Sequence, residues 1–373
     1  MPPRQRNTSI SIVKAIAITL MVMGHAEGPW WLNNFIYIFH MPVFFVTAGY
    51  FWSTRSLQEP WTFCRKRFKG LYVPFLKWSV FFLLIHNLMF KVGILNEQYG
   101  NWEGGVTHPY SLTTAVQRLV NMVFTMGGYD EFLAGAFWFF RGLLVTSLAF
   151  FVAYKLLNKY RRPLRLNDTT IPLVIIGFAL GLLALKACMG IKFNNINQGG
   201  ARELFGTIFF AGGVLYRRWE HKIPKHPLLT LLCLGILVGA VLLHCHGMNI
   251  RTEPRDVLTL PLTGMAGFVM LHHIATWLDG RLSGTPHRWL TYCGDNTLHI
   301  FIFHISAFKL VTALKIWYYG LDWGQMGTHM VVHYRSDSDL FILLYTLVGT
   351  ALPLLWLHTY RRLRHKKIAT PQA

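Results

Sequence analysis

Long apolar runs constrain this chain more than any other feature. Ten stretches approach 20 residues, at about 8–27, 32–52, 71–90, 131–153, 170–190, 200–216, 227–246, 256–277, 292–318 and 338–359. That is the length a helix needs to cross a hydrocarbon slab about 30 Å thick. Only 14% of the 373 residues are charged and 53% are hydrophobic, whereas soluble domains are about one-quarter charged. In hydrocarbon each segment must satisfy its own backbone polar groups, so these runs predict helices. The expected fold is all-α: a polytopic transmembrane helical bundle of about ten helices. It forms a single membrane-embedded domain over 1–373, with a basic C-terminal tail from about 360. Segment 111–127, flanked by Gly127 and Gly128, reads as interfacial or re-entrant.

The net charge of +20 invites a nucleic-acid reading, and its distribution argues against one. With ten spans and both termini on one side, that side receives 23 Lys and Arg residues and the other receives 7. The positive-inside rule then makes both termini cytoplasmic. The five cysteines show no metal-ligand spacing and read as small buried residues. The first run holds Lys14 and His25 and lacks a small-x-small cleavage site, so it reads as an uncleaved helix.

Ionisable groups inside spans are costly, and each is a functional candidate. Lys14 and His25 are eleven residues apart, so they share a helix face about 16 Å apart along the axis. Lys14 lies towards the cytoplasm and His25 towards the outer face, with Glu27 just beyond. In the second run Pro42 frees the carbonyl of Ile38 and bends the helix near His40. Arg141 in the fourth run falls near the midplane, cannot lose its charge, and must face a cavity, an anion or a carboxylate. Asp130 and Glu131 stand at the outer end of its helix; Arg202 and Glu203, opening the sixth run, can pair with each other. Asn296 and Thr297 suit a helix entry by capping free donors, and His304 lies some way into that helix, ahead of Lys309.

These segments together resemble the acyltransferase-3 family of multi-pass membrane acyltransferases, in particular its fucose 4-O-acetylase-like branch. The resemblance rests on Lys14…Gly24-His25, on Phe39-His40-Met41-Pro42-Val43-Phe44-Phe45…Gly49-Tyr50, and on Arg65-Lys66-Arg67-Phe68-Lys69…Pro74. Phe137-Trp138-Phe139-Phe140-Arg141 and Gly294-Asp295-Asn296-Thr297-Leu298…His304 complete it. It implies about ten helices, an acyl-coenzyme A donor on the cytoplasmic side, and an acceptor that is usually a carbohydrate hydroxyl reached from outside. It also implies an arginine-x10-histidine pair on the first helix. Here Lys14 stands at the arginine position, keeping the charge and losing the bidentate fork.

Acyl transfer from a thioester needs a base, and histidine supplies one near neutral pH. His25 is the expected base, with His40, Arg141 or a backbone donor near Pro42 stabilising the oxyanion or orienting the thioester. Lys14, Arg65, Lys66, Arg67 and Lys69 are expected to hold the phosphates of acetyl-CoA, a donor substrate and not a tightly bound cofactor. Glu27, Trp102, Tyr129 and His304 are expected to contact the acceptor, a surface polysaccharide or lipid-linked oligosaccharide, helped by the other aromatics of loop 91–130. No metal and no nucleic acid are expected; membrane lipid is the surrounding partner, and a bacterial inner membrane the expected location. A transporter or flippase of a glycan or acyl precursor is the rival class, since it too carries intramembrane ionisable groups and broken helices. A metal enzyme built on His244/His246 or His272/His273 is a third, weakened by the absence of an evident carboxylate partner.

Overall fold

The structure, a computed structural model, describes residues 7–102, 105–191, 200–248 and 253–369; the side chains of Trp102 and of residues beyond 364 lie outside the described residues. Among the described residues the fold is all-α apart from one short antiparallel pair, β1 (Asn101–Trp102) with β2 (Gly105–Val106). Among the described residues, eight helices are long and apolar enough to cross a membrane. They are Thr8–His25, Trp30–Tyr50, Pro60–Lys91, Trp138–Lys159, Thr170–Met189, Asp256–Arg281, Thr297–Tyr319 and Phe341–Arg364. The protein is thus an integral, multi-pass membrane protein.

The other two expected spans are helical too. α10 (Ala201–Trp219) carries Arg202, Glu203, Arg217 and Arg218 at its ends, and α11 (Pro227–Leu242) has 16 residues, about 24 Å of rise. They are consecutive, so the alternation of the other helices is the same with both crossing as with neither.

Several boundaries differ from the apolar pattern for local reasons. α1 is Thr8–His25. The second run is two helices, α2 (Trp30–Tyr37) and α3 (His40–Tyr50), because Pro42 belongs to the first turn of a new helix. The Ile38 carbonyl at that break accepts from Thr263 Oγ1 at 3.0 Å. α4 (Pro60–Arg67) continues through a π turn, Phe68–Tyr72, into α5 (Val73–Lys91). α6 (Leu112–Thr125) starts where Ser111 Oγ accepts from Thr114 N and stops at Met126, in the left-handed region at φ 51°. The run 131–153 is not one helix. Asp130 Oδ1 accepts from the amides of Phe132 and Leu133, capping a four-residue α7 (Glu131–Ala134), and α8 (Trp138–Lys159) begins afresh. Arg141 therefore lies in the first turn of α8 and not some ten residues into a continuous span.

α9 (Thr170–Met189), α12 (Asp256–Arg281), α13 (Gly284–Asp295), α14 (Thr297–Tyr319) and α15 (Phe341–Ala369) complete the chain. The basic tail is thus the end of α15 as far as Ala369, and its last residues lie outside the described residues. Asn296 precedes α14, but its amide donates back to Tyr292 O at 2.8 Å and does not cap the new helix.

Contacts divide the chain into two compact units. The first comprises the described residues of Met1–Ala17, Trp31–Pro74 and Phe139–Thr291. Its centre is α3 against α10, where glycines let backbones meet: a Cβ on Gly49 would stand 1.9 Å from Phe210 O, and one on Gly213 2.0 Å from Val46 O. An aromatic core of Trp52, Phe63, Phe150, Phe151, Tyr154 and Phe210 adjoins it. The second unit comprises Ile18–Trp30, Phe75–Trp138 and the described residues of Tyr292–Ala373. There α14 packs on α15 through Phe303 with Trp356 and Phe308 with Tyr345.

Candidate active site

The second unit holds the end of α1 and the middle of α14, and with them two buried imidazoles. His304 Nδ1 lies 3.1 Å from Ile300 O and 2.9 Å from Phe301 O. Carbonyls only accept, so this nitrogen carries the hydrogen and the neutral ring accepts at Nε2. That Nε2 is 2.8 Å from His25 Nδ1. His25 therefore donates through Nδ1 and keeps its lone pair on Nε2. The rings stack with centroids 5.0 Å apart at 23°. The arrangement fixes the tautomer and orientation of one basic nitrogen without burying an unpaired charge.

The segment after α14 folds back onto this end of the unit through polar contacts the sequence did not announce. Lys309 Nζ donates to Met326 O and Thr328 O at 2.6 and 2.9 Å. Lys315, almost fully buried, pairs with Asp339 at 2.9 Å. His329 Nε2 donates to Glu131 O at 3.3 Å. Glu27, in the left-handed region at φ 50°, pairs with His333 Nδ1 at 2.7 Å. Burial holds His329 down at about 4, while the hydrogen bond to Glu27 raises His333 above its ordinary value. His329 and His333 are functional candidates that sequence reasoning missed. Their only signal was two histidines four residues apart in a polar loop, a pattern with no characteristic spacing.

The first unit holds the other expected residues. Lys14 is half-buried on α1. Arg65, Lys66 and Lys69 are exposed just before and within the π turn, and none forms an ion pair among the described residues. Arg67 differs: its guanidinium lies over the Phe63 and Phe210 rings, 5.2 and 5.8 Å from their centroids. His40 is buried, and its Nδ1 donates to Ile36 O at 2.8 Å. Arg141 grips Glu203 Oε1 through Nε at 3.2 Å and Nη2 at 3.1 Å. The pairing expected between Arg202 and Glu203 is absent from these contacts, because neighbours on a helix diverge by about 100°; Arg202 Nε donates to Met248 O instead.

A family model described as an acyltransferase domain matches residues 7–355. The chain belongs to the acyltransferase-3 family. It is therefore an acyltransferase embedded in the membrane, with an acyl donor and an acceptor as its substrates. No curated protein and no solved structure matches it.

The acceptor contacts expected of this acyltransferase are placed unevenly. Tyr129 is buried, with its ring near those of Phe75 and Phe137, and so packs among aromatic side chains of the second unit and offers no open platform. Trp102 lies on β1 with its side chain outside the described residues. His246 does have a carboxylate partner, Asp256 Oδ2 at 3.3 Å, and Glu253 completes a cluster within 4.8 Å. Arg255 already supplies a cation there, pairing with Glu253 at 3.0 Å.

Proposed function

We propose that this acyltransferase moves an acetyl group from cytoplasmic acetyl-CoA to a hydroxyl of a cell-surface or lipid-linked carbohydrate, in a bacterial inner membrane. The observation that carries the reading is the His25–His304 pair, 2.8 Å apart with the His25 lone pair on Nε2. His25 Nε2 takes the proton of the acceptor hydroxyl as its oxygen attacks the thioester carbonyl carbon. The carbon–sulfur bond then breaks, and the departing coenzyme A thiolate receives that proton from His25. His304 is a positioning residue in this scheme, holding the His25 tautomer and sharing the positive charge that appears in mid-reaction.

This changes two expected roles. A neutral His40 with its hydrogen spent on Ile36 has no N–H left for an oxyanion, and Arg141 is committed to Glu203. Both act in the proposal as supports for the first unit. Lys14, Arg65, Lys66 and Lys69 are the proposed grip for the donor phosphates, favoured because the last three are exposed cations with no carboxylate partner among the described residues. An acetyl donor and a sugar acceptor are what the fucose 4-O-acetylase-like motifs imply.

Mass spectrometry of surface glycans from cells with the intact gene, without it, and with a His25→Ala copy tests the proposal. Acetyl esters are expected only with the intact gene. Glycans identical in all three would overturn it.

A further inference from the structure

The second unit contains a cavity of about 250 Å³, lined by residues 105–110 and by Thr114, Arg118, Glu131 and Phe132. Its wall is rigidly built. His86 binds Asp130 through Nδ1 and donates to His108 O through Nε2 at 2.9 Å. The Tyr110 ring stacks on His86 at 3.5 Å and 3°, and the Arg118 guanidinium lies 4.5 Å from the Tyr110 centroid. Arg118 Nη1 donates to Gly128 O and Tyr129 O, both at 3.2 Å. Its remaining N–H groups make no hydrogen bond among the described residues, and neither does the Glu131 carboxylate.

The lining therefore offers a donor fork, an acceptor carboxylate and the hydroxyls of Thr107 and of Thr114, the latter also bonded to Ser111 Oγ at 3.0 Å, with opposite charges facing one space. Burial holds the Glu131 carboxyl above its ordinary range, although Arg118 pulls the other way. An anion would meet Glu131 and a cation would meet Arg118. A hydroxyl can donate to the one and accept from the other, and neighbouring hydroxyls match both at once.

A short helix links the cavity to the segment that carries His304. Glu131 opens α7, whose four residues rise about 6 Å. At the far end a Cβ on Gly135 would be 3.7 Å from Ile305, the residue after His304. The Phe132 ring packs edge-on against His329, 5.2 Å between centroids.

The geometry points to this cavity as the binding site for one neutral sugar residue of the acceptor, a short helix away from His25 and His304. The inference rests on the carbohydrate reading above and adds where the sugar is held.

The test is saturation-transfer NMR on the full chain in detergent, with methyl glycosides of glucose, rhamnose and N-acetylglucosamine as probes. At least one glycoside should bind wild type. Glu131→Ala and Thr114→Val should each weaken that binding about tenfold, with thermal midpoints confirming that both fold. His25→Ala should bind the glycoside and fail to acetylate it. Wild-type affinity in both pocket variants would overturn the cavity assignment alone. A wild-type chain that neither binds nor acetylates any of the three would overturn the carbohydrate acceptor with it.

Discussion

His25 Nδ1 and His304 Nε2 stand 2.8 Å apart although 279 residues separate them in sequence. The two carbonyls that hold the His304 hydrogen decide which nitrogen of His25 is basic. The pair is thus oriented from the α14 backbone outward.

A first prediction follows from that order. His304→Ala removes the acceptor that orients His25, so kcat should fall about tenfold to a hundredfold, typical for loss of a partner that orients a functional histidine. KM for acetyl-CoA should stay near wild type. His304→Gln, whose amide oxygen can still accept from His25, should recover part of the loss. Steady-state kinetics on the purified variants checks this, and equal losses in both would assign His304 a different role.

Stability should depend on pH with opposite signs at two histidines outside the spanning helices. The folded state refuses a proton on His329 until about pH 4, whereas the unfolded chain takes one near 6.5. That contribution is complete above 6.5 and is lost as pH falls through the window to 4. The folded value of His333 is raised by Glu27, so its contribution is present below 6.5 and lost as pH rises through the folded value. Thermal unfolding in detergent should show a flatter acid limb in His329→Gln. In His333→Gln the loss above pH 6.5 should shrink.

The Arg141–Glu203 pair is largely buried, with side chains 16% and 13% exposed. Removing one partner strands the other charge, so Arg141→Met or Glu203→Met alone should cost about 2–4 kcal/mol. The double variant should recover much of that. A double-mutant cycle by thermal unfolding reads the coupling.

Glycines on α3 and α10 should tolerate nothing larger. Gly49→Ala and Gly213→Ala each drive a methyl into a carbonyl oxygen at 1.9–2.0 Å, and backbone cannot rotate away. Destabilisation of about 1–3 kcal/mol or more is expected. Gly177→Ala and Gly181→Ala on α9 meet nothing within 4 Å and should be neutral or stabilising by up to about 1 kcal/mol.

Much of the architecture was legible because lipid leaves few choices for a 20-residue apolar run. Pro42 was readable as a break, and the carbonyl it frees, Ile38, does take a side-chain donor, Thr263. The start of α8 was misread because Phe132 to Phe140 is apolar throughout, and hydropathy hides the cap at Asp130. His304 stood out as an intramembrane histidine, but nothing local shows that it faces His25. The π turn at Phe68–Tyr72 has one local signal, Pro74 just beyond it, which has no amide hydrogen to give Gly70 O. Glu27 with His333 and Arg141 with Glu203 are long-range pairs, decided by packing.

The most direct test of His25 as the base is acetyl transfer from radiolabelled acetyl-CoA to the glycan acceptor by membranes carrying wild type or His25→Ala, with equal inserted protein in each. A loss of about 10²–10⁴-fold is expected, the span of general-base catalysis. Transfer by His25→Ala within a few-fold of wild type would contradict it.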